Sequence, residues 1–152
     1  MEELAELMLI KRTDELSGHS AVFEDDGRVA YAYLLDEDEI VADVWLYNRA
    51  AAPEQPEWRD PSGMPFLNPR GFASGEQFPP VADESEVAFS WSRGAAGQTA
   101  LRVYLRGDYH AMLVPGSKPG WCKLAARNGP LASVLREDDE LERCRYIEGT
   151  KG

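Results

Sequence analysis

Seven of the ten prolines fall in one stretch, residues 49–84. Proline fixes φ and has no N–H to donate, so neither a helix interior nor a central strand tolerates that density. Regular structure must lie on either side, and the chain reads as two blocks joined by a long irregular connection. Connections this long without structure of their own are uncommon in compact domains and tend to be functional or disordered. Trp58, Phe66, Phe72 and Phe78 lie within this one, and a solvated linker seldom carries four aromatics. Either they pin the connection over an open sheet face, or they meet a partner, since binding residues concentrate on loops.

Both blocks show the period-2 alternation of strands. In the first, residues 19–23 lead into the turn Glu24-Asp25-Asp26-Gly27. Residues 28–35 then place Val29, Tyr31, Tyr33 and Leu35 opposite the smaller Ala30, Ala32 and Leu34. A charged turn at 36–39 returns the chain through 40–48, with Ile40, Ala42, Val44 and Leu46 on one face and Val41, Asp43, Trp45 and Tyr47 on the other. In the second block, strands at 86–93, 99–106 and 109–114 are separated by Gly94-Ala95-Ala96-Gly97 and Gly107-Asp108. Each block is therefore expected to form a three-stranded antiparallel meander. After Pro130, Leu131, Val134, Leu135, Asp138, Leu141 and Arg145 follow helical spacing, which predicts a C-terminal helix with 137–140 on its solvated side. Residues 4–11 fit a short helix or a strand. The expected fold is mainly β (α+β): one domain over residues 1–152, two meanders in a sandwich-like or twisted sheet, and a C-terminal helix.

Sixteen basic residues stand against 27 acidic ones, a formal net charge of −11. Such a surface repels phosphate backbones and anionic bilayers, which argues against nucleic-acid and membrane partners. It serves solubility, or it steers a basic protein partner. Cys122 and Cys144 are too few for a disulfide framework and lack zinc spacing. The start, Met1-Glu2-Glu3-Leu4, lacks the pattern of a signal peptide, and no apolar run reaches spanning length. A cytoplasmic protein without cofactor or metal is the expectation.

No catalytic set emerges. His19 and His110 sit in no nucleophile motif, and His110 reads as a structural imidazole on a strand. The carboxylates at 24–26 and 36–39 have turn composition and lack the spaced ligands of a calcium loop. Asp43 interrupts an otherwise apolar face. If that face is covered, the carboxylate needs a donor, a cation or a raised pKa.

Together, residues 23–27 (Phe-Glu-Asp-Asp-Gly), Tyr31, Tyr33, Asp43, Tyr47-Asn48, Trp91-Ser92, Ala100-Leu101, His110-Ala111 and 120–123 (Gly-Trp-Cys-Lys) resemble the pattern of an uncharacterised bacterial family, a domain of unknown function. The resemblance spans about residues 19–125. It departs at Ala30, where the family has Gly, and at Trp121 and Lys123. It implies no activity.

Two functions are expected from this reading. The first is a protein-binding module, concretely an immunity protein that neutralises a basic toxin, with Glu24, Asp25, Asp26, Trp58, Phe66 and Phe72 as the contact surface. The alternative is a small-molecule binder or an enzyme, with a pocket between the meanders lined by Tyr31, Tyr33, Asp43, Trp45 and His110. Homo-oligomerisation is a third role compatible with the sequence.

Overall fold

The computed structural model describes residues 7–58, 60, 64–75, 78–93 and 97–135. Its first sheet has the order β1 (Met8–Thr13), β2 (His19–Asp25), β3 (Val29–Asp36), β4 (Glu39–Asn48), antiparallel throughout. The second runs β5 (Val87–Arg93), β6 (Thr99–Leu105), β7 (Asp108–Leu113), β8 (Trp121–Cys122), β9 (Ser133–Val134). Both meanders are present, and each is larger than its alternation predicts. Residues 8–13 add a strand to the first, and two short strands extend the second.

Tight turns follow from residue chemistry. Glu37 and Asp38 take φ of 52° and 70° between β3 and β4, and Arg106 and Gly107 take 52° and 82° between β6 and β7. Positive φ at both central residues is the type I′ geometry that matches strand twist.

The predicted C-terminal helix does not form over 131–135. Ser133 N–H donates to Gly120 O, Leu135 N–H to Cys122 O, and Val134 N–H to Asn128 Oδ1. Amides that a helix would direct four residues back are instead satisfied by β8 and by a side-chain cap, and β9 pairs in parallel with β8. Leu131 and Ala132 are buried in that extended form. The remainder of the predicted helix lies outside the described residues.

Apolar side chains of both sheets form one continuous core, including Phe23, Val44 and Tyr47 from the first and Leu101, Val103 and Leu113 from the second. Each large side chain so buried contributes about 1.5–3 kcal/mol. Ala30 and Ala32 are fully buried on the inner face of β3, where small residues admit close approach.

Two β-bulges decide which way the side chains at this interface point. In β4, Trp45 pairs with Tyr31 but Tyr47 pairs with Ala30, leaving Leu46 without a partner in β3. Because Tyr31 and Ala30 face opposite ways, the extra residue puts Tyr47 on the inner face and Trp45 on the outer one. In β7, Ala111 pairs with Val103 and Tyr109 with Tyr104, leaving His110 unpaired. The free edge of β4 is also closed, by Gly116 N–H to Val41 O, Asp43 N–H to Ser117 O, Gly120 N–H to Asp43 O and Trp45 N–H to Leu131 O.

Candidate ligand cleft

At the C-terminal end of β4 the chain leaves the sheet through Arg49 and three alanines, 50–52. Residues this small cannot fill the space beside the strand. A cleft of about 1050 Å³ opens there, with Tyr47, Arg49, Arg70, Gly75, Phe78 and Leu124 among its lining residues.

Its walls are fixed by hydrogen bonds. The Asn48 side-chain amide mimics a strand partner for Asn68: Nδ2 donates to Asn68 O, and Oδ1 accepts from Asn68 N–H, both at 2.9 Å. The same Oδ1 accepts from Trp45 Nε1 at 2.8 Å. Asp25, 1% exposed, accepts from Tyr47 OH at 2.6 Å, from Gly27 N–H at 2.9 Å and from Arg49 Nη1 at 3.3 Å. Tyr47 reaches across the small Ala30 to make this bond, and its oxygen accepts in turn from Val81 N–H at 3.0 Å. Burial, first, and the neighbouring Asp25 carboxylate raise the Tyr47 pKa, so the phenol stays protonated as a donor.

The segment at 78–81 is held from a second side by Arg106. Its backbone lies in the left-handed region, uncommon for a residue with a side chain. Its guanidinium donates to Glu86 Oε1 at 2.9 Å and to Pro79 O at 2.7 Å, and stacks over the Phe78 ring. Behind Phe78 lies His110, ring centroids 4.9 Å apart.

The two bulges meet at this point. His110 Nε2 donates to Leu46 O at 2.9 Å, and Cys122 Sγ lies 3.5 Å from the same oxygen. A bulged residue is left out of the regular ladder, and this bond supplies Leu46 O with a buried partner. Desolvation holds the His110 pKa down to about 4, so the ring is neutral. With Nε2 as the donor, Nδ1 carries the lone pair, and among the described residues it has no partner.

The residues expected to form an inter-meander pocket do not converge. Tyr31, Tyr33, Asp43 and Trp45 share the outer face of the first sheet through the pairs Tyr31–Trp45 and Tyr33–Asp43, whereas His110 is on the inner side. Tyr31 OH donates to Phe66 O and Tyr33 OH to Glu24 Oε1. Asp43 is half-buried. Desolvation raises its pKa, opposed by Lys118. Trp45 alone of the five lines the cleft.

The residues expected to face a partner are engaged within the fold. Asp25 is buried, and Asp26 Oδ1 accepts from Arg28 N–H and Val29 N–H to close the β2–β3 turn. Trp58 packs edge-on to Phe72 with ring centroids 5.7 Å apart, Arg127 stacks on Phe72, and Phe66 packs on the core.

Comparisons with protein-family models, curated proteins and solved structures find no match.

Chemically, the cleft offers aromatic and aliphatic surface with two guanidinium groups. Arg49 and Arg70 are not among the sequence-predicted site residues, because an excess of 27 acidic over 16 basic residues points to carboxylates. The available signal was an arginine followed by three alanines at a strand end, and a second arginine in Asn-Pro-Arg-Gly. Among the described residues, no group of three or more His, Cys, Asp or Glu side chains could hold a metal ion. No helix there is long and apolar enough to cross a membrane.

Proposed function

We propose that this domain is a small-molecule-binding protein and that the cleft at the end of β4 is its site. The observation carrying the reading is a cavity of about 1050 Å³ whose walls are tied to the sheet by the Asn48–Asn68 and Asp25–Tyr47–Val81 bonds. Ligand sites are concave and largely preformed, with a few placed polar groups. The reading is tested with the fluorescent dye 1-anilinonaphthalene-8-sulfonate. A Cβ added at Gly75 meets nothing within 4 Å, so Gly75→Trp obstructs the cleft without forcing the backbone. Saturable, one-to-one dye binding to the native chain and its loss in Gly75→Trp are expected. Equal binding by both proteins rejects the site.

A second reading, protein binding of the immunity type, is favoured by one observation. Asp36, Glu37, Asp38 and Glu39 are all exposed at the tip of the β3–β4 hairpin, with Lys11 Nζ 3.6 Å from Asp38. Replacing Glu37, Asp38 and Glu39 by their amides is expected to weaken salt-sensitive association with poly-lysine and to leave dye binding intact. Unchanged poly-lysine association would exclude this hairpin as the docking surface.

A further inference from the structure

We infer that the cleft selects anions: its ligand carries a carboxylate, sulfonate or phosphate group on an apolar body, with the charge seated on Arg49. The inference rests on the cleft being a binding site and adds the class of ligand.

The chain carries 27 acidic side chains against 16 basic ones, so a lining drawn at random from its surface would hold more carboxylates than cations. The described lining has the opposite composition, with Arg49 and Arg70 and no Asp or Glu. The two arginines are differently prepared. The Arg49 side chain is 36% exposed, and among the described residues its partner is the buried Asp25, through Nη1. A guanidinium has five N–H donors in a planar fork, so this single bond leaves capacity for a bidentate contact with an oxyanion. Asp25 is itself held by Tyr47 OH and Gly27 N–H, which fixes the Arg49 anchor before any ligand arrives. Prior placement of this kind reduces the ordering cost of binding. Partial burial also strengthens a charge–charge contact relative to open water.

Arg70 is two-thirds exposed, and Nη1 pairs with the exposed Glu54 at 2.9 Å. Exposed pairs contribute little to stability, so a ligand oxyanion can replace Glu54 there at small cost. Phe78, Pro79, Pro80 and the alanines at 50–52 supply the apolar surface, with buried Trp45, Tyr47 and Leu124 behind them. An anion without an apolar body would leave that surface wet, and a cation would meet two guanidinium groups.

Three probes of one shape separate the possibilities: naphthalene-2-sulfonate, 2-naphthylmethanol and 2-naphthylmethylammonium, each titrated calorimetrically into the full chain, its Gly75→Trp variant, and Arg49→Lys and Arg70→Met. The conservative Arg49→Lys keeps a cation beside Asp25 and so protects the fold. The sulfonate is expected to bind at least about tenfold tighter than the other two, the equivalent of one charge-assisted hydrogen bond. Arg49→Lys and Arg70→Met should each erode that preference and leave the alcohol unchanged. Equal affinity for all three probes, or tightest binding of the ammonium, overturns the anion inference while the cleft stands. Binding of no probe, or binding indifferent to Gly75→Trp, overturns the cleft and the inference together.

Discussion

Removing one oxygen from Tyr47 should destabilise the domain far more than removing it from a neighbouring tyrosine. Tyr47→Phe keeps the ring that packs 5.2 Å from Phe78 but deletes two bonds at once. The first is donation to the buried Asp25 at 2.6 Å, and hydrogen bonds to charged groups contribute about 1.5–3 kcal/mol. The second is acceptance from Val81 N–H at 3.0 Å; Val81 is 4% exposed, and an orphaned buried donor costs about 1–3 kcal/mol. Asp25 keeps Gly27 N–H and Arg49, so the sum is tempered to about 3 kcal/mol, a large part of the roughly 5–15 kcal/mol that holds a domain folded. Tyr33→Phe is the control. It loses a bond to Glu24 at 3.1 Å with both residues half-buried, and should cost below about 1 kcal/mol. Urea unfolding gives both numbers, with the slope m unchanged. Amide exchange at Val81 should quicken in Tyr47→Phe alone. Equal stabilities for the two variants would refute the assignment of Tyr47 as the bond that ties 78–81 to the sheet.

Other perturbations have defined outcomes. The His110 pKa is held near 4 in the fold against about 6.5 for a free imidazole. The unfolded chain therefore protonates first, and stability from neutral His110 is complete above about 6.5 and lost as pH falls toward 4. That loss, up to about 3 kcal/mol, should be absent between pH 6.5 and 5 in His110→Gln, measured as unfolding free energy against pH. Complete burial pushes the Cys122 thiol up to about 12. In a Cys144→Ser background it should resist a thiol reagent at pH 8 until denaturant is added; rapid native labelling would contradict its burial. Gly120→Ala would place a Cβ 2.5 Å from Met112 O and 2.8 Å from Leu113 Cδ2, an overlap expected to cost about 1–3 kcal/mol or more, read as a fall in Tm.

The alternation in residues 28–48 was enough to find β3 and β4 and the hairpin between them. It could not reveal that Leu46 is an extra residue, because one insertion reverses every later side chain without changing the composition. Strict alternation therefore groups Tyr47 with Trp45, whereas the fold turns it inward to Asp25. His110 lies on a strand, as its sequence context predicts, and bonds Leu46 O, but its bulge moves it to the far side of β4 from Tyr31, Tyr33 and Asp43. Leu131, Val134 and Leu135 satisfy helical spacing and equally satisfy a short extended segment, since three apolar residues do not fix a period. Several polar contacts meet at this joint: Asp25 bonded to Tyr47, Asn48 to Asn68, His110 and Cys122 at Leu46 O, and Gly120 at Asp43 O. The contacts at Leu46 O and Asp43 O join the two sheets. The cleft beside this joint is built from small residues and arginines that no motif marks.

Amide chemical-shift mapping with naphthalene-2-sulfonate tests the cleft most directly. Shifts that saturate together and cluster at residues 48–52, 70–75 and 124 are the expected result. Shifts confined to the β3–β4 hairpin or the Tyr33–Asp43 face, or none at millimolar probe, would contradict a ligand site at the end of β4.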